Sequence, residues 1–392
     1  MAVLTIFAVH TGETDLKMKI KDFSIERYFA KYEFTARYLL SSSDCDGYPM
    51  QAVLDLASAS ELDNWNHLTL GYTETKGNPA LRELISQQYD QIIPEKVLIM
   101  SPGEANFCLM NVLLEKGDEV ICMAPMYQSL YQVAESIGCK VTFWGPEKNS
   151  DWYFAPETLE KLVKPGTKMI IVNFPHNPTG FMPSLTDWQK IIEIARKHNI
   201  VLFSDEMYRL LISDEKDQIP AACDLYENAV SLWGMSKTFG LAGLRIGWLA
   251  SQNADLLLKI ESFKDYLTIC NSAPGELLTI IALRNKDKFL RPNIEKIRNN
   301  IKVFQSFQER NPDLLDFYYP KAGSTAFIKL NIPVSTLQYA EKLVEETGIM
   351  LLPSETFNYG TSHVRIGFGR QNFSEILPEW EKYHRTNQTH NN

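Results

Sequence analysis

The middle of the chain alternates short apolar runs with segments whose apolar residues recur at helical spacing. Runs that are apolar throughout are typical of strands covered on both faces, and their alternation with helices predicts βαβ units and a parallel sheet. The predicted strands are Lys96–Met100, Glu119–Met123, Lys140–Trp144, Lys168–Asn173, Ile200–Ser204, Ala229–Trp233 and Ile246–Ala250.

One inter-strand segment illustrates the helical pattern. Ser184 is a predicted N-cap with Asp187 three residues later, and Trp188, Ile191 and Ile192 follow at helical spacing. We expect this helix to cover one face of the sheet.

From about Leu290 the regular alternation of predicted strands and helices ends. A long charged helical pattern runs through Glu309, and short strands are predicted around Ala326–Leu330 and His363–Phe368. We therefore predict an α/β fold, with a large domain of a mostly parallel, helix-covered sheet over residues 60–285. Residues 18–59 with 286–392 are predicted to form a smaller α+β domain, and residues 1–17 a disordered extension.

Composition narrows the class of protein. Of 392 residues, 45% are hydrophobic and 22% charged, as in ordinary folded proteins, and the formal net charge of -9 argues against a nucleic-acid partner. No apolar run approaches the length of a membrane span, so no membrane association is expected. The cysteines lie far apart and the histidines show no ligand spacing, which predicts a cytoplasmic protein without disulfides or a metal site.

Four segments carry polar residues that suggest chemistry. They are NFPHNPTG (173–180), FSDEMYR (203–209), WGMSKTFGLAGLRIGW (233–248) and HVRIGFGR (363–370). The first three follow predicted strands, and ligands of open α/β sheets bind at the carboxyl ends of strands. Taken alone, each is also compatible with a turn, a helix cap, a surface amine or a salt bridge. Their order and spacing favour one shared site.

In that order and spacing the chain resembles the class I/II aminotransferases, which are fold type I enzymes dependent on pyridoxal 5′-phosphate, from about residue 25 onward. The resemblance implies that Lys237 carries the cofactor as a Schiff base and moves a proton during the reaction. It implies that Asp205 faces the pyridine nitrogen and that Asn177 and Tyr208 bind the ring's phenolic oxygen. Tyr127 matches the aromatic residue that stacks on the ring.

The resemblance also implies a cradle for the cofactor phosphate. Pro102, Gly103 and Glu104 lie in SPGEANF at a predicted helix N-terminus, which favours an anion, and Glu104 is expected to contribute through its backbone. Arg245 and Ser236 would complete the cradle. The chain departs from many relatives at Gly234, where they carry Ser or Thr, and at Pro102, which lacks a backbone donor.

Tyr72 matches a family tyrosine that reaches the cofactor phosphate of the partner subunit, which implies a homodimer with shared active sites. A tyrosine packed locally at a turn is the alternative.

For the substrate, the resemblance implies that Arg365 binds the α-carboxylate through two parallel hydrogen bonds, with Asn177 beside it. The segment YLLSSSDCDGYPM (38–50) replaces the Gly-Pro-Asp loop of common relatives and is similar to the branch that includes the capreomycidine synthases. Asp44 and Asp46 in this segment are predicted to read a basic or strongly hydrogen-bonding side chain. The alternative is an acidic turn exposed to solvent.

The predicted function is therefore transfer of an amino group from an L-amino acid to a 2-oxo acid. Because the motifs hold the cofactor and leave reaction choice to the pocket, lyase, oxidase or cyclase chemistry stays open, possibly on an arginine-like substrate. A regulatory binding domain is a third hypothesis, but no DNA-binding segment accompanies the motifs.

Overall fold

The computed structural model describes residues 20–148 and 150–389. The predicted extension at residues 1–17 lies outside this described part of the chain.

Within the described residues the strands form one sheet of seven and one of four. They are β1 (Val97–Met100), β2 (Glu119–Met123), β3 (Lys140–Trp144), β4 (Thr167–Asn173), β5 (Val201–Asp205), β6 (Ala229–Gly234), β7 (Gly247–Ala250), β8 (Leu315–Asp316), β9 (Thr325–Leu330), β10 (Leu352–Pro353) and β11 (His363–Gly367).

The α-helices of the same residues are α1 (Ser24–Tyr32), α2 (Met50–Leu54), α3 (Ala59–Asn66), α4 (Pro79–Ser86), α5 (Pro102–Leu113), α6 (Ser129–Ile137), α7 (Pro156–Leu162), α8 (Leu185–Lys197), α9 (Ala222–Leu225), α10 (Ala254–Lys264), α11 (Ala273–Arg284), α12 (Asp287–Arg310), α13 (Thr336–Thr347) and α14 (Phe373–Thr389). Among them, every helix is too short or too polar to cross a bilayer.

The seven strands lie in the order β1-β7-β6-β5-β4-β2-β3. Pairs among β2 to β6 are parallel, whereas β7 runs antiparallel to β1 and β6. The predicted mostly parallel sheet is confirmed, and the predicted strands agree with the observed ones to within a residue. Ser184 caps α8, accepting a hydrogen bond from the Asp187 N–H over 3.1 Å.

The second sheet is antiparallel, in the order β10-β11-β9-β8. Helix α12 packs against α14, and α13 packs against β10 and α14, so this second, smaller sheet is packed with helices of the same part of the chain. The proposed domain boundary at residues 285 and 286 falls between α11 and α12.

The register of the large sheet brings polar residues to one edge. Asn173 at the end of β4 pairs with Asp205 at the end of β5, and Asp205 is in register with Leu232 of β6. Because these strands are parallel, their carboxyl ends open onto the same crevice.

Candidate active site

A cavity of about 260 Å³ lies at this edge, between the large sheet and the segment around Ser41–Asp44. Most of the predicted site residues line it. They are Asp44, Pro102, Gly103, Tyr127, Asn177, Asp205, Tyr208, Ser236, Lys237, Arg245 and Arg365. Three other predicted residues, Tyr72, Glu104 and Asp46, do not belong to its lining.

Lys237 follows β6 in a turn, and its Nζ donates a hydrogen bond to Ser43 Oγ over 2.9 Å. The approach to this turn requires close contact between β6 and β7. A Cβ on Gly234 would lie 2.8 Å from the Gly247 Cα, and one on Gly247 would lie 2.9 Å from Pro102 Cγ. Close packing of β6 on β7 therefore explains why position 234 is a glycine. The same packing brings the turn that carries Lys237 close to the start of α5.

Asp205 is 7% exposed, and its Oδ1 accepts a hydrogen bond from the Met207 N–H over 3.1 Å. Burial raises the pKa of this carboxyl to about 7; neighbouring Glu206 adds to the rise, whereas the Met207 N–H and Lys237 oppose it. A cationic N–H group placed opposite Asp205 would restore the ionised form. The site is therefore suited to a protonated ring nitrogen.

A chain of hydrogen bonds joins the two sheets across the cavity. Asn173 Nδ2 donates to the Asp205 carbonyl over 2.8 Å, and the Asn177 N–H donates to Asn173 Oδ1 over 2.8 Å. Arg365 Nη1 in turn donates to Asn177 Oδ1 over 3.1 Å. Asn173 was not among the predicted site residues, although a polar residue closing an otherwise apolar strand is a usable signal.

His176 holds the turn that carries Asn177. Burial lowers the pKa of His176 to about 3, so the ring is neutral. Its Nε2 lies 2.8 Å from the Pro125 carbonyl, which can only accept, so Nε2 carries the proton. Nδ1, 2.7 Å from Thr179 Oγ1, then accepts from that hydroxyl. Both ring nitrogens are used to fix the turn.

Arg365 is 1% exposed and has no carboxylate partner among the described residues. Its Nε and Nη2 both donate to the Ser41 carbonyl, over 3.1 and 3.0 Å. Burial lowers the pKa of this guanidinium. Of its five N–H groups, one on Nη1 and one on Nη2 remain available to a bound anion.

The loop of residues 41–46 lies directly on the strand that carries Arg365. A Cβ on Gly367 would lie 1.6 Å from the Ser42 carbonyl oxygen, and one on Gly369 would lie 2.4 Å from that of Asp44. The two glycines of HVRIGFGR therefore make room for the loop backbone.

The two aspartates of this loop have different surroundings. Asp44 lines the cavity and accepts from Arg370 Nη2 over 3.2 Å. Asp46 lies outside the lining, where Lys296 Nζ donates to it over 2.8 Å and the Gln371 N–H over 2.8 Å. Asp46 therefore forms a structural ion pair with Lys296.

Helix α5 begins at Pro102, and the Ser101 hydroxyl makes no cap hydrogen bond. The N–H groups of Gly103 and Glu104 in its first turn are free of intrahelical partners. The Glu104 carboxylate accepts from Thr268 Oγ1 over 2.6 Å, and no part of this residue lines the cavity. Arg245 lines the cavity and forms no ion pair with any described residue. This end of the cavity is suited to an anion.

Two buried polar atoms of the cavity lining have no hydrogen-bond partner among the described residues: Tyr208 Oη and Asn106 Oδ1. A hydroxyl is a donor and acceptor, and an amide oxygen is an acceptor. Buried polar atoms are normally paired, so both atoms indicate a polar ligand in this cavity.

Helix α1 and the residue that caps its carboxyl end contribute lining residues that the sequence interpretation missed: Glu26, Phe29 and Glu33. Tyr127 Oη donates to Glu26 Oε1 over 2.7 Å. The spacing of three and seven residues places all three on one helix face, which is a signal that could have been used.

Comparison with known proteins places this geometry in context. Residues 38–375 match the family model described as aminotransferase class I and II. A capreomycidine synthase of Streptomyces vinaceus is 27% identical, covering 89% of this chain and 88% of its own. A glutamate-pyruvate aminotransferase of Escherichia coli is 28% identical, covering 76% and 75%. A solved PLP-dependent aminotransferase of Streptococcus suis superposes with a TM-score of 0.88 at 28% identity, covering 94% of this chain and 99% of that one.

Proposed function

Because the chain belongs to the class I and II aminotransferases, it is a pyridoxal 5′-phosphate-dependent enzyme, and we propose that Lys237 is the residue that binds this cofactor covalently. The reaction is transfer of an amino group from an L-amino acid to a 2-oxo acid. The observation that carries the proposal is the placement of Lys237, Asp205 and Arg365 around one cavity, with no ion pair between Arg365 and any described residue.

The residues present fit the cofactor. Tyr208 Oη, buried and unpartnered among the described residues, is available to the ring's phenolic oxygen together with Asn177. Asp205 is available to the ring nitrogen. The first turn of α5, Ser236 and Arg245 are available to the phosphate. Tyr127 is available to the ring face.

When bound, the cofactor supplies a ring that accepts the electrons left at the substrate Cα. Asp205 would face the ring nitrogen and favour its protonated form. Lys237 Nζ would hold the cofactor and act as the base that takes the proton from the substrate Cα. Its neighbour Ser43 Oγ holds the amine in place over 2.9 Å.

Arg365 binds the α-carboxylate through its two remaining N–H groups, one on each Nη atom. The Ser41 carbonyl holds one edge of the guanidinium, and Asn177 holds Nη1. Since Asn177 also serves the cofactor ring, substrate and cofactor are oriented by one connected set of groups.

We propose that the active form is a homodimer in which Tyr72 reaches the partner's cofactor phosphate. Tyr72 is 88% exposed, and Leu70, Tyr266, Leu267 and Ile269 are large apolar side chains that are exposed as well. Lys264 joins their two chain segments, since its Nζ donates to the Thr75 and Ile269 carbonyls over 2.9 and 3.0 Å. Exposed apolar side chains on joined segments are typical of an interaction surface.

A cytoplasmic location is also proposed, supported by six free cysteines.

The test is borohydride reduction of the purified protein with bound cofactor, followed by peptide mapping. The label should lie on Lys237, and Lys237→Ala should abolish both the label and turnover. A label on Lys264, or on any other lysine, would overturn the assignment.

A second measurement separates transamination from other chemistry of the same cofactor, which the motifs also allow. Incubation with a reactive amino acid should give stoichiometric 2-oxo acid and the pyridoxamine form of the cofactor. Release of ammonia, peroxide or a cyclised amino acid would instead establish a lyase, an oxidase or a cyclase.

A further inference from the structure

Helix α12 carries a polar face that packs against the walls of the cavity. Asn293, Lys296 and Asn300 stand at spacings of three and seven residues, which places them on one side of the helix. Asn293 has no exposed surface, and Asn300 is 8% exposed. Asparagine is a poor former of helix interiors, and a buried amide costs free energy unless it is hydrogen-bonded. Both asparagines therefore require partners outside the helix.

Asn293 lies against the turn that carries Lys237. Its Nδ2 donates a hydrogen bond to the Thr238 carbonyl over 3.1 Å, and its Oδ1 accepts one from Tyr48 Oη over 3.3 Å. Because a carbonyl can only accept, the amide nitrogen has to face Thr238, and the tyrosine hydroxyl holds the other end of the same amide. The backbone immediately after Lys237 is therefore anchored to α12.

The Thr238 hydroxyl anchors the same turn to the large sheet. Thr238 has no exposed surface, and its Oγ1 donates to the Arg209 carbonyl over 2.8 Å and lies 3.2 Å from the Met207 carbonyl. The same oxygen accepts a hydrogen bond from Trp233 Nε1 over 3.3 Å. Thr238 is thus held through its hydroxyl by the large sheet and through its carbonyl by α12. The backbone position of Lys237 depends on both anchors.

Asn300 holds a different wall of the cavity. Its Nδ2 donates to the carbonyls of Phe368 and Arg370 over 2.9 and 2.7 Å. These two residues follow β11, the strand that carries Arg365. Asn300 therefore provides a matched comparison for Asn293. It is the same residue type on the same face of α12 and also donates to backbone carbonyls, but it does so on the Arg365 side.

We propose that Asn293 is a positioning residue for Lys237, acting through the Thr238 carbonyl. The inference rests on the proposed function, in which Lys237 Nζ is the reacting amine. Asn293 does not line the cavity, whereas Lys237 Nζ lies in it, 2.9 Å from Ser43 Oγ. Displacing a reacting group by about 1 Å can slow a reaction by about a hundredfold. A small shift of the lysine turn is therefore sufficient to change the rate.

The first test is Asn293→Leu, which keeps the approximate shape of the side chain and removes the donor to Thr238. With the amino acid that reacts fastest with wild type, kcat should fall by about tenfold to a hundredfold while KM changes little. Asn300→Leu should instead act mainly on KM, because it loosens the strand of Arg365. Asn299→Leu, the same change on the exposed side of α12, should alter neither constant.

A conservative variant tests the hydrogen bond itself. In Asn293→Asp, burial favours the neutral carboxyl, which can donate to the Thr238 carbonyl, whereas the ionised form cannot. Its kcat should therefore exceed that of Asn293→Leu at low pH. Equal kcat values for the two variants at every pH would show that a donor to Thr238 has no role, and would overturn the proposal.

A second measurement does not depend on turnover. The cofactor-free protein is mixed with pyridoxal 5′-phosphate and quenched with borohydride at intervals, and peptide mapping gives the rate of labelling at Lys237. Asn293→Leu should label about tenfold more slowly than wild type, whereas Asn300→Leu and Asn299→Leu should match wild type. Circular dichroism establishes that each variant is folded. If Asn293→Leu does not fold, Tyr48→Phe, which removes the hydroxyl that holds the Asn293 amide, should slow labelling in the same direction.

The possible failures are distinguishable. If wild type gives no label on Lys237 and no amino acid alters the cofactor absorbance, the proposed function is wrong and this inference falls with it. If wild type reacts but folded Asn293→Leu, or Tyr48→Phe in its place, keeps both kcat and the labelling rate, Asn293 does not position Lys237. An equal fall of kcat in Asn293→Leu and Asn300→Leu would indicate general loosening of α12 and would also overturn the assignment.

Discussion

Arg365 and Asn177 are 188 residues apart in sequence, yet Nη1 of the arginine donates to Oδ1 of the asparagine over 3.1 Å. The contact joins β11 of the small sheet to the turn that follows β4 of the large one. Arg365, proposed to bind the substrate carboxylate, is therefore hydrogen-bonded to Asn177, which is proposed to bind the cofactor ring.

Asp205→Asn should reduce turnover by several orders of magnitude while the protein still binds cofactor. The neutral amide would not hold the ring nitrogen protonated, whereas the groups proposed to bind the phosphate, at α5 and Arg245, are unchanged. The measurement is kcat for the half-reaction beside a titration of cofactor binding. Near-normal turnover would show that Asp205 does not control ring protonation.

The raised pKa of Asp205 also predicts a pH-dependent stability of the cofactor-free protein. The folded state holds this proton with a pKa of about 7 rather than 3.8. The stabilising contribution is therefore complete below about pH 4 and is lost as the pH rises through about 7. Asp205→Asn does not titrate, so its stability relative to wild type should increase across this window, by up to about 4 kcal/mol.

Denaturant unfolding at several pH values measures this difference, with Glu345→Gln as the control for loss of one negative charge. Added cofactor should reduce the pH dependence, because a protonated ring nitrogen favours the ionised carboxylate. A constant difference between variant and wild type from pH 4 to 8 would contradict the prediction.

Arg365→Lys should raise KM for every amino acid by a similar factor, of about tenfold or more, because lysine has a single charged centre in place of a planar fork. Asp44→Asn should weaken only substrates with particular side chains. Asp46→Asn, which alters the ion pair with Lys296 outside the cavity, should change stability more than substrate preference. Steady-state kinetics with arginine, alanine and glutamate compares the three variants. A side-chain-selective loss in Asp46→Asn would return Asp46 to the substrate site.

The dimer proposal predicts complementation between inactive or weakened subunits. A Lys237→Ala subunit mixed with a Tyr72→Phe subunit should give a heterodimer with one undamaged site, in which Lys237 and Tyr72 come from different chains. Activity should therefore rise above that of either variant alone. Sedimentation of the wild type should show a dimer, and a fully active monomer would refute shared sites.

Much of the large sheet was predictable because its strands are covered on both faces and read as continuous apolar runs. Parallel strands of known direction then place their terminal polar residues at one edge, which is why Asp205 and Lys237 could be assigned to one crevice. The contribution of Glu33 was harder to predict, since it depends on how α1 packs against the loop of residues 41–46. Asp44 and Asp46 are the same residue type two positions apart, so the sequence does not distinguish their roles. The backbone turn between them places Asp44 in the cavity lining and Asp46 in the ion pair with Lys296.

The packing of Gly367 and Gly369 against the backbone of Ser42 and Asp44 has an evolutionary consequence. Any side chain at either glycine displaces the loop, so a single change there is expected to disturb the Arg365 strand and the position of Asp44 together. Glu33, in contrast, follows the last residue of α1 and makes none of these glycine contacts. Substitutions at Glu33 are therefore expected to alter the cavity lining while the glycine-seated loop stays fixed.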